Sequence, residues 1–157
     1  MDKISSNSYN NIYLDNAATQ KPLKGAINAM VEAAMTFGNP SSTHTAGRAA
    51  ADILERSRKT MAQVLGCSKD EFFFTPGGTL ANNTAIFGVA YRQKRRTKRI
   101  VSTDSEHPSV ENALRRLEDE DFEVIRIPTK GGVLDYNALE RSLSQSVSLV
   151  TMMYVNN

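Results

Sequence analysis

The sequence predicts an α/β protein in which a mostly parallel sheet is flanked by helices. Beyond residue 70, short apolar blocks of strand type alternate with segments in which apolar residues recur every three or four positions. The chain has 157 residues, of which 40% are hydrophobic and 23% are charged, as expected for a globular domain. A single cysteine argues against a disulfide scaffold, and no apolar run approaches the roughly 20 residues that a membrane helix needs.

The first part of the chain is predicted to be mainly helical. Residues 1–11 are polar, and we expect them to be loose. Residues 12–46 form the next segment, in which the apolar spacing predicts a helix that begins at Pro22. A second helix is predicted over residues 48–65, with Gly66 at the position of a C-terminal cap. The apolar face predicted for this second helix comprises Ala50, Ile53, Leu54, Met61, Val64 and Leu65.

The remainder alternates between predicted strands and helices, which favours parallel strands joined by helical crossovers. The predicted strands cover residues 71–75, 99–103, 122–127 and 147–155. The predicted helices cover residues 79–93 and 108–120, and a short third helix follows Asp135 as its N-cap. One face of the helix over 79–93 is predicted to carry Leu80, Thr84, Phe87 and Tyr91.

Charge and residue counts limit the function classes. The formal net charge is only +2, which does not imply a polyanionic partner. The basic run at residues 92–99 lies at a predicted helix end, and we interpret it as solvated, with a nucleic-acid patch as the alternative. The lone Cys67 and the lack of an apolar N-terminal segment favour a reducing, cytoplasmic location. No cluster has the spacing of metal ligands, so we expect no metal site.

Three short stretches that follow predicted strands are candidates for a ligand site. Gly78 and Thr79 open a helix, His107 precedes a helix, and Asn157 follows the last strand. Ligands of parallel sheets bind beyond the carboxyl ends of the strands, so these residues are predicted to converge there. Backbone N–H groups at a helix N-terminus suit a phosphate, and an imidazole suits stacking or proton transfer. Each residue alone also has a plainer interpretation, as a tight turn, a helix cap or a strand end.

Five motifs, taken in order, resemble one enzyme family. They are YLDNAAT at 13–19, FGNPSSTH at 37–44, FTPGGTLANN at 74–83, SEHPSV at 105–110 and VNN at 155–157. The set resembles the cysteine desulfurases of the class V aminotransferases, which are pyridoxal 5'-phosphate (PLP) enzymes of fold type I. The resemblance covers nearly the whole chain from Ile12. It implies that the chain forms part of the large domain of the PLP-dependent transferase fold.

The resemblance assigns roles to individual residues. It implies that Gly78 and Thr79 bind the cofactor phosphate. It further implies that His107 stacks on the pyridine ring, with possible proton transfer, and that Asn157 contacts the cofactor and the substrate carboxylate. The implied cofactor is PLP. The implied substrate is L-cysteine, from which sulfur is removed to give alanine and an enzyme-bound persulfide.

The resemblance also implies how the chain is organised. Asn16 and Ala17 would line the substrate entrance, and residues 47–157 would form the first part of the PLP-binding domain. The family's Schiff-base lysine and nucleophilic cysteine lie beyond the equivalent of Asn157, so we expect an N-terminal fragment that is inactive alone. The full-length protein is expected to be a homodimer that passes sulfur to an acceptor protein, as in iron–sulfur cluster assembly. A selenocysteine lyase, a kynureninase-like hydrolase and a non-enzymatic nucleic-acid-binding module are the alternatives.

Overall fold

The computed structural model describes residues 12–16 and 18–155, which divide into two compact units. The N-terminal unit runs up to Phe73, and the C-terminal unit begins at Phe74. The sequence analysis placed a boundary at residue 47, between segments with different expected roles. This boundary is not the one between the two compact units, and it stays a prediction.

The N-terminal unit consists of two α-helices and one turn of 3₁₀-helix. These are α1 (Lys24–Met35), α2 (Thr45–Leu65) and the 3₁₀ turn Lys69–Glu71. Gly66 ends α2 with φ +67°, so the predicted C-terminal cap is confirmed. The predicted apolar face of α2 is only partly covered: its first half is half-buried, whereas its second half is exposed, with Val64 at 75%.

The strand predicted over residues 71–75 is wrong. Ser68 and Glu71 form a reciprocal capping box, in which the Ser68 side chain accepts from the Asp70 N–H and the Glu71 carboxylate accepts from the Ser68 N–H. This local bonding winds the first part of the segment into the 3₁₀ turn. The phenylalanines that follow belong to neither sheet, and Phe73 is 74% exposed. Strand propensity is insufficient where no neighbouring strand pairs with the segment.

The C-terminal unit has the predicted α/β architecture. Its elements are α3 (Gly78–Gln93), β1 (Arg99–Thr103), α4 (Pro108–Glu118), β2 (Glu123–Ile127), β3 (Thr129–Lys130), β4 (Val133–Leu134), α5 (Tyr136–Leu143) and β5 (Leu149–Val150). The main sheet has the order β2-β1-β5, and both pairings are parallel. The carboxyl ends of these three strands therefore meet at one edge of the sheet, and β1 is its centre.

The core of this unit lies between β1 and the helices α3 and α4. Ile100, Leu114 and Ala90 are completely buried in one cluster, together with Ile86 from α3. The face of α3 predicted to carry Leu80, Thr84 and Tyr91 is not the one that packs in this core, since these three residues are exposed. Phe87, the fourth predicted position, packs partly against the cluster. The helix is apolar on most sides, so its periodicity does not identify the side on which α4 packs.

Near the end of the chain, one predicted strand is shorter than expected, whereas the predicted helix cap at Asp135 is present. The strand expected over residues 147–155 is reduced to Leu149–Val150, although the Thr151 N–H still donates to the Val101 carbonyl at 2.9 Å. Gly131 and Gly132, with φ +56° and +78°, form the two-residue turn of the β3–β4 hairpin. Asp135 caps α5 as predicted, because its Oδ1 accepts from the Ala138 N–H at 2.9 Å.

An ion-pair cluster fastens α4 to β2. The Arg126 guanidinium donates to both carboxylate oxygens of Glu111, at 3.0 and 3.1 Å, and to both of Glu118, at 2.7 and 2.9 Å. These hydrogen bonds lower the pKa of both glutamates below their usual value of 4.5, with nearby Arg115 contributing less. Each carboxylate is therefore held in its charged form in the folded state.

We expect Arg126→Met to lower the free energy of unfolding by about 1–2 kcal/mol at neutral pH, because two charge-assisted contacts are lost. The difference should shrink in acid. Since the folded pKa values of Glu111 and Glu118 lie below 4.5, their stabilisation is present above that value and is lost as the pH falls through the folded pKa. Urea unfolding of wild type and variant between about pH 7 and pH 3 measures this.

Arg116→Met is the matched control. Arg116 lies 3.4 Å from Glu120, and its side chain is 63% exposed, so its loss should cost less than about 0.5 kcal/mol. A loss in the Arg126 variant that is equally large at every pH would contradict the electrostatic explanation.

Two helical glycines should respond in opposite directions to alanine. A Cβ at the buried Gly47 would overlap the carbonyl oxygen of Ser42 and lie 2.8 Å from that of Asn39, so Gly47→Ala should destabilise by about 1–3 kcal/mol. Gly88 is exposed in the middle of α3 with open space around it, so Gly88→Ala should stabilise by about 0.5–1 kcal/mol. Thermal unfolding measures both, and changes of the same sign would refute the steric argument.

Candidate active site at the α3 and α4 N-termini

The first turn of α3 offers unused hydrogen-bond donors. Gly77 is the N-cap in an extended conformation, and the first helical bond runs from the Ala81 N–H to the Gly77 carbonyl at 3.2 Å. Within the described part of the chain, the N–H groups of Gly78, Thr79 and Leu80 meet no acceptor, and the turn holds no acidic residue. A Cβ at Gly78 would have no neighbour within 4 Å. Exposed N–H groups, a threonine hydroxyl and open space beside a helix N-terminus fit a phosphate monoester.

His107 is positioned by its own helix. It is the N-cap of α4, with Pro108 at the first helical position, as the sequence predicted for a helix opening with proline. Its Nδ1 accepts the Ser109 backbone N–H at 3.1 Å and lies 2.8 Å from the Ser109 hydroxyl oxygen. The imidazole itself is exposed, whereas Ser109 is only 7% exposed. One edge of the ring is thus tied to the protein while the ring remains accessible to a ligand.

A hydrogen bond between the two helices brings these predicted site elements together. The Asn82 side-chain amide on α3 donates to the Ser109 hydroxyl on α4 at 2.8 Å, and that hydroxyl contacts His107. Asn82 follows Thr79 by three residues, so both lie on the same side of the first turns of α3. The predicted phosphate-binding turn and the predicted stacking imidazole are therefore held in adjacent helix N-termini.

Glu106 links the turn before α4 to the segment after β5. One of its carboxylate oxygens accepts from the Thr103 hydroxyl at 2.6 Å and from the Met153 N–H at 2.9 Å. Thr103 is the last residue of β1, so the carboxylate joins the ends of two neighbouring strands. The segment that leads towards Asn157 is fixed at this point.

The remaining predicted site residues are not brought to these helices by the described contacts. Asn16 lies exposed in a turn of the N-terminal unit, where the Asp15 carbonyl accepts from the Ala18 N–H at 3.2 Å. Ala17 and Asn157 lie outside the described residues. The roles proposed for Asn16, Ala17 and Asn157 stay predictions.

A cavity of about 650 Å³ opens at the same edge of the sheet. Its lining includes Thr103, Thr129, Tyr136 and Tyr154, but neither Gly78 nor His107 is part of it. The first turn of α3 and the His107 imidazole therefore lie at the helix N-termini of α3 and α4, whereas the cavity lies beside the β3–β4 hairpin.

Other residues of chemical interest have structural roles. His44 caps α2, since its Nδ1 accepts from the Gly47 N–H at 3.2 Å. Cys67 is a free, exposed cysteine. In the basic run, Lys98 donates to the Glu120 carbonyl at 3.0 Å, and Arg99 pairs with Glu123 at 3.1 Å. Among residues 12–16 and 18–155, no helix is both long enough and apolar enough to cross a membrane.

Three positioning contacts were not predicted from the sequence. Asn82, Ser109 and Glu106 all lie within the recognised motifs, but the bond from Asn82 to Ser109 spans 27 residues and that from Met153 to Glu106 spans 47. A local signal existed only for Ser109, which stands two residues after the N-cap histidine, where a helix has an unpaired N–H. The other two contacts depend on how helices and strands pack.

Comparison with known proteins identifies the family. Residues 12–157 match the family described as Aminotransferase class-V. The chain belongs to the class V aminotransferases. The family that the five motifs suggested is thereby confirmed.

The relatives carry names from the cysteine desulfurase group. The NifS/IcsS protein homolog of Lactobacillus delbrueckii subsp. bulgaricus is 41% identical over 148 residues, which cover 93% of this chain and 38% of that protein. The cysteine desulfurase IscS of Buchnera aphidicola subsp. Schizaphis graminum is 36% identical over 154 residues, covering 94% of this chain and 38% of that protein. The chain thus spans well under half the length of the relatives it matches.

A solved structure confirms the fold class. The protein described as NifS-like superposes with a TM-score of 0.81 and 30% identity, over 90% of this chain and 39% of that one. The α/β arrangement of the C-terminal unit, with its parallel sheet and flanking helices, is therefore shared with this NifS-like protein.

Removing the Glu106 carboxylate should release the segment after β5. We expect the Met153 amide to exchange with solvent about five- to tenfold faster in Glu106→Ala, because its acceptor is lost. Glu106→Gln keeps an oxygen acceptor and should exchange nearly as slowly as wild type. Hydrogen exchange followed by NMR measures both variants. Equal exchange of Met153 in the wild type and in Glu106→Ala would show that another contact holds the segment.

Proposed function

We propose that this chain contributes the phosphate- and ring-binding part of a PLP-dependent cysteine desulfurase. The observation that carries the proposal is the hydrogen-bonded link from the open first turn of α3, through Asn82 and Ser109, to the exposed imidazole of His107. A phosphate donor set and a flat aromatic ring held at two adjacent helix N-termini suit a planar ligand that carries a phosphate.

The residues of α3 and α4 would divide the binding of PLP between them. Gly78 and Thr79 would donate to the phosphate through backbone N–H groups and a hydroxyl, aided by the helix dipole. The His107 ring would stack on the pyridine, and Asn157 would contact the cofactor and the substrate carboxylate. Fixing one cofactor end by the phosphate and one face by the imidazole limits its motion, which is how a protein places a reactive ring against a substrate.

The proposed reaction removes sulfur from L-cysteine and leaves alanine and an enzyme persulfide. Bound PLP would supply a conjugated ring that takes up electron density from the substrate carbon. The imidazole of His107 would hold or move a proton close to that ring, because its Nδ1 is engaged by Ser109 and its Nε2 is left to carry the proton. Asn16 and Ala17 would line the substrate entrance. The relatives named cysteine desulfurase support this substrate class.

The wider setting is also a proposal. We expect a cytoplasmic homodimer that passes sulfur to an acceptor protein for iron–sulfur cluster assembly. The nucleic-acid alternative is weakened because Lys98 and Arg99 of the basic run already bind groups of the chain itself.

Thr79→Val should weaken PLP binding by about 10- to 100-fold in the full-length protein, because a hydrogen bond to a charged phosphate is worth about 1.5–3 kcal/mol. The matched control is Thr84→Val, which removes an exposed hydroxyl from the same helix further from its N-terminus. Titration with PLP, followed by absorbance, gives both dissociation constants.

Turnover tests the reaction itself. The full-length protein loaded with PLP should convert L-cysteine to alanine, and His107→Gln should reduce kcat strongly while PLP still binds. Alanine formed only from selenocysteine or from kynurenine would replace the proposed substrate. Absence of any PLP binding would overturn the proposed function.

A further inference from the structure

We infer that Ser109 and Asn82 are positioning residues that fix the tautomer and orientation of His107. The inference rests on the proposed function for its catalytic meaning, but its structural content concerns hydrogen bonds within this chain. Neither residue is assigned a role by the motifs that indicated the cofactor site.

Ser109 faces the Nδ1 nitrogen of the His107 ring. His107 Nδ1 receives the Ser109 backbone N–H at 3.1 Å, and the Ser109 hydroxyl oxygen lies 2.8 Å from the same nitrogen. A proton on Nδ1 would point towards the backbone N–H, so this nitrogen must present its lone pair. In the neutral imidazole, the proton then lies on Nε2.

The Asn82 side chain sets the direction of the Ser109 hydroxyl. The Asn82 amide nitrogen lies 2.8 Å from the Ser109 oxygen and donates to it. That oxygen is therefore used as an acceptor on the α3 side, which leaves its own hydrogen free to point to His107 Nδ1. The chain of donation therefore runs from Asn82 to Ser109 to His107.

The Ser109 hydroxyl is shielded from solvent. Ser109 is 7% exposed and Asn82 is half-buried, so water competes poorly for the hydroxyl. The ring of His107 is exposed at its other side. Two donors on one nitrogen restrict rotation of the imidazole about its bond to Cβ. The ring would be set in position before a ligand arrives, directly by Ser109 of its own helix and indirectly by Asn82 of α3.

The test reads the imidazole directly. In the full-length protein with ¹⁵N-labelled histidine and without PLP, NMR at about pH 8.5 distinguishes the two tautomers of neutral imidazole. Loss of the His107 signals in His107→Gln assigns them. Ser109→Thr keeps the hydroxyl and adds a methyl group. Ser109→Val has nearly the shape of threonine but lacks the hydroxyl. Comparing the two variants therefore isolates the effect of the hydroxyl.

We expect wild type and Ser109→Thr to show predominantly the Nε2–H form. Ser109→Val should shift the tautomer ratio of His107 by about fivefold towards Nδ1–H, as expected for the loss of one ordinary hydrogen bond. Asn82→Asp should act in the same direction, because a carboxylate accepts the Ser109 hydrogen and draws it away from the imidazole. Asn83→Asp introduces the same charge one residue later and should leave the ratio unchanged. The signals of His44, which caps α2 without a serine hydroxyl, should not move in any variant.

Each outcome bears on the inference. An unchanged ratio in Ser109→Val relative to Ser109→Thr would overturn it, because the backbone N–H alone would then fix the tautomer. An unchanged ratio in Asn82→Asp would remove Asn82 from the chain of donation. These readings need no cofactor, so the inference can fail while desulfurase activity stands, and it can hold if the activity fails. In the PLP-loaded enzyme, a lower kcat in Ser109→Val that Ser109→Thr restores, with PLP affinity unchanged, would support the catalytic meaning.

Discussion

The site depends on one apolar contact, the packing of α3 against α4 over β1. Ala90 and Leu114 are completely buried there, and Ile100 of β1 closes the cluster from below. An alanine at this crossing lets the helix axes approach closely, and each large aliphatic side chain adds roughly 1.5–3 kcal/mol of hydrophobic stabilisation. The contact places the N-terminal turns of the two helices side by side. The bond from Asn82 to Ser109 is possible only because of this packing.

Local sequence then decides what each helix N-terminus offers. In α3, a glycine N-cap leaves the first N–H groups without an internal acceptor, so the turn is free to bind an external anion. In α4, Pro108 has no N–H that needs an acceptor, and His107 Nδ1 accepts the N–H of Ser109. The N-terminus of α3 is thus open to a ligand, whereas in α4 the capping hydrogen bond orients the His107 imidazole. A helix N-terminus is suited to binding in the first case and to positioning in the second.

The sequence predicted these elements where local chemistry determines them. β1 and α4 were predicted well, because a central buried strand and a proline-initiated amphipathic helix carry strong local patterns. Residues 71–75 were wrongly predicted, since strand formation depends on a partner strand that local composition does not reveal. The strand-end argument holds for His107, which follows β1, but not for Gly78, because residues 71–75 form no strand; Gly78 rests on its helix start and on the motif resemblance. The contacts of Ser109 depend on tertiary packing and could not be read from spacing.

The polar network of the site is closed within the C-terminal unit. The contacts from Asn82 through Ser109 to His107, and those from Glu106 to Met153, use residues of this unit alone. Large apolar side chains exposed elsewhere, such as those of α1, do not contribute to these hydrogen bonds. Burial of such surface by further chain or by a second subunit would therefore add stability without being needed to set the imidazole. In this protein the orientation of the candidate catalytic group is a local property of two helix ends, and it should be established as soon as α3 and α4 have packed on β1.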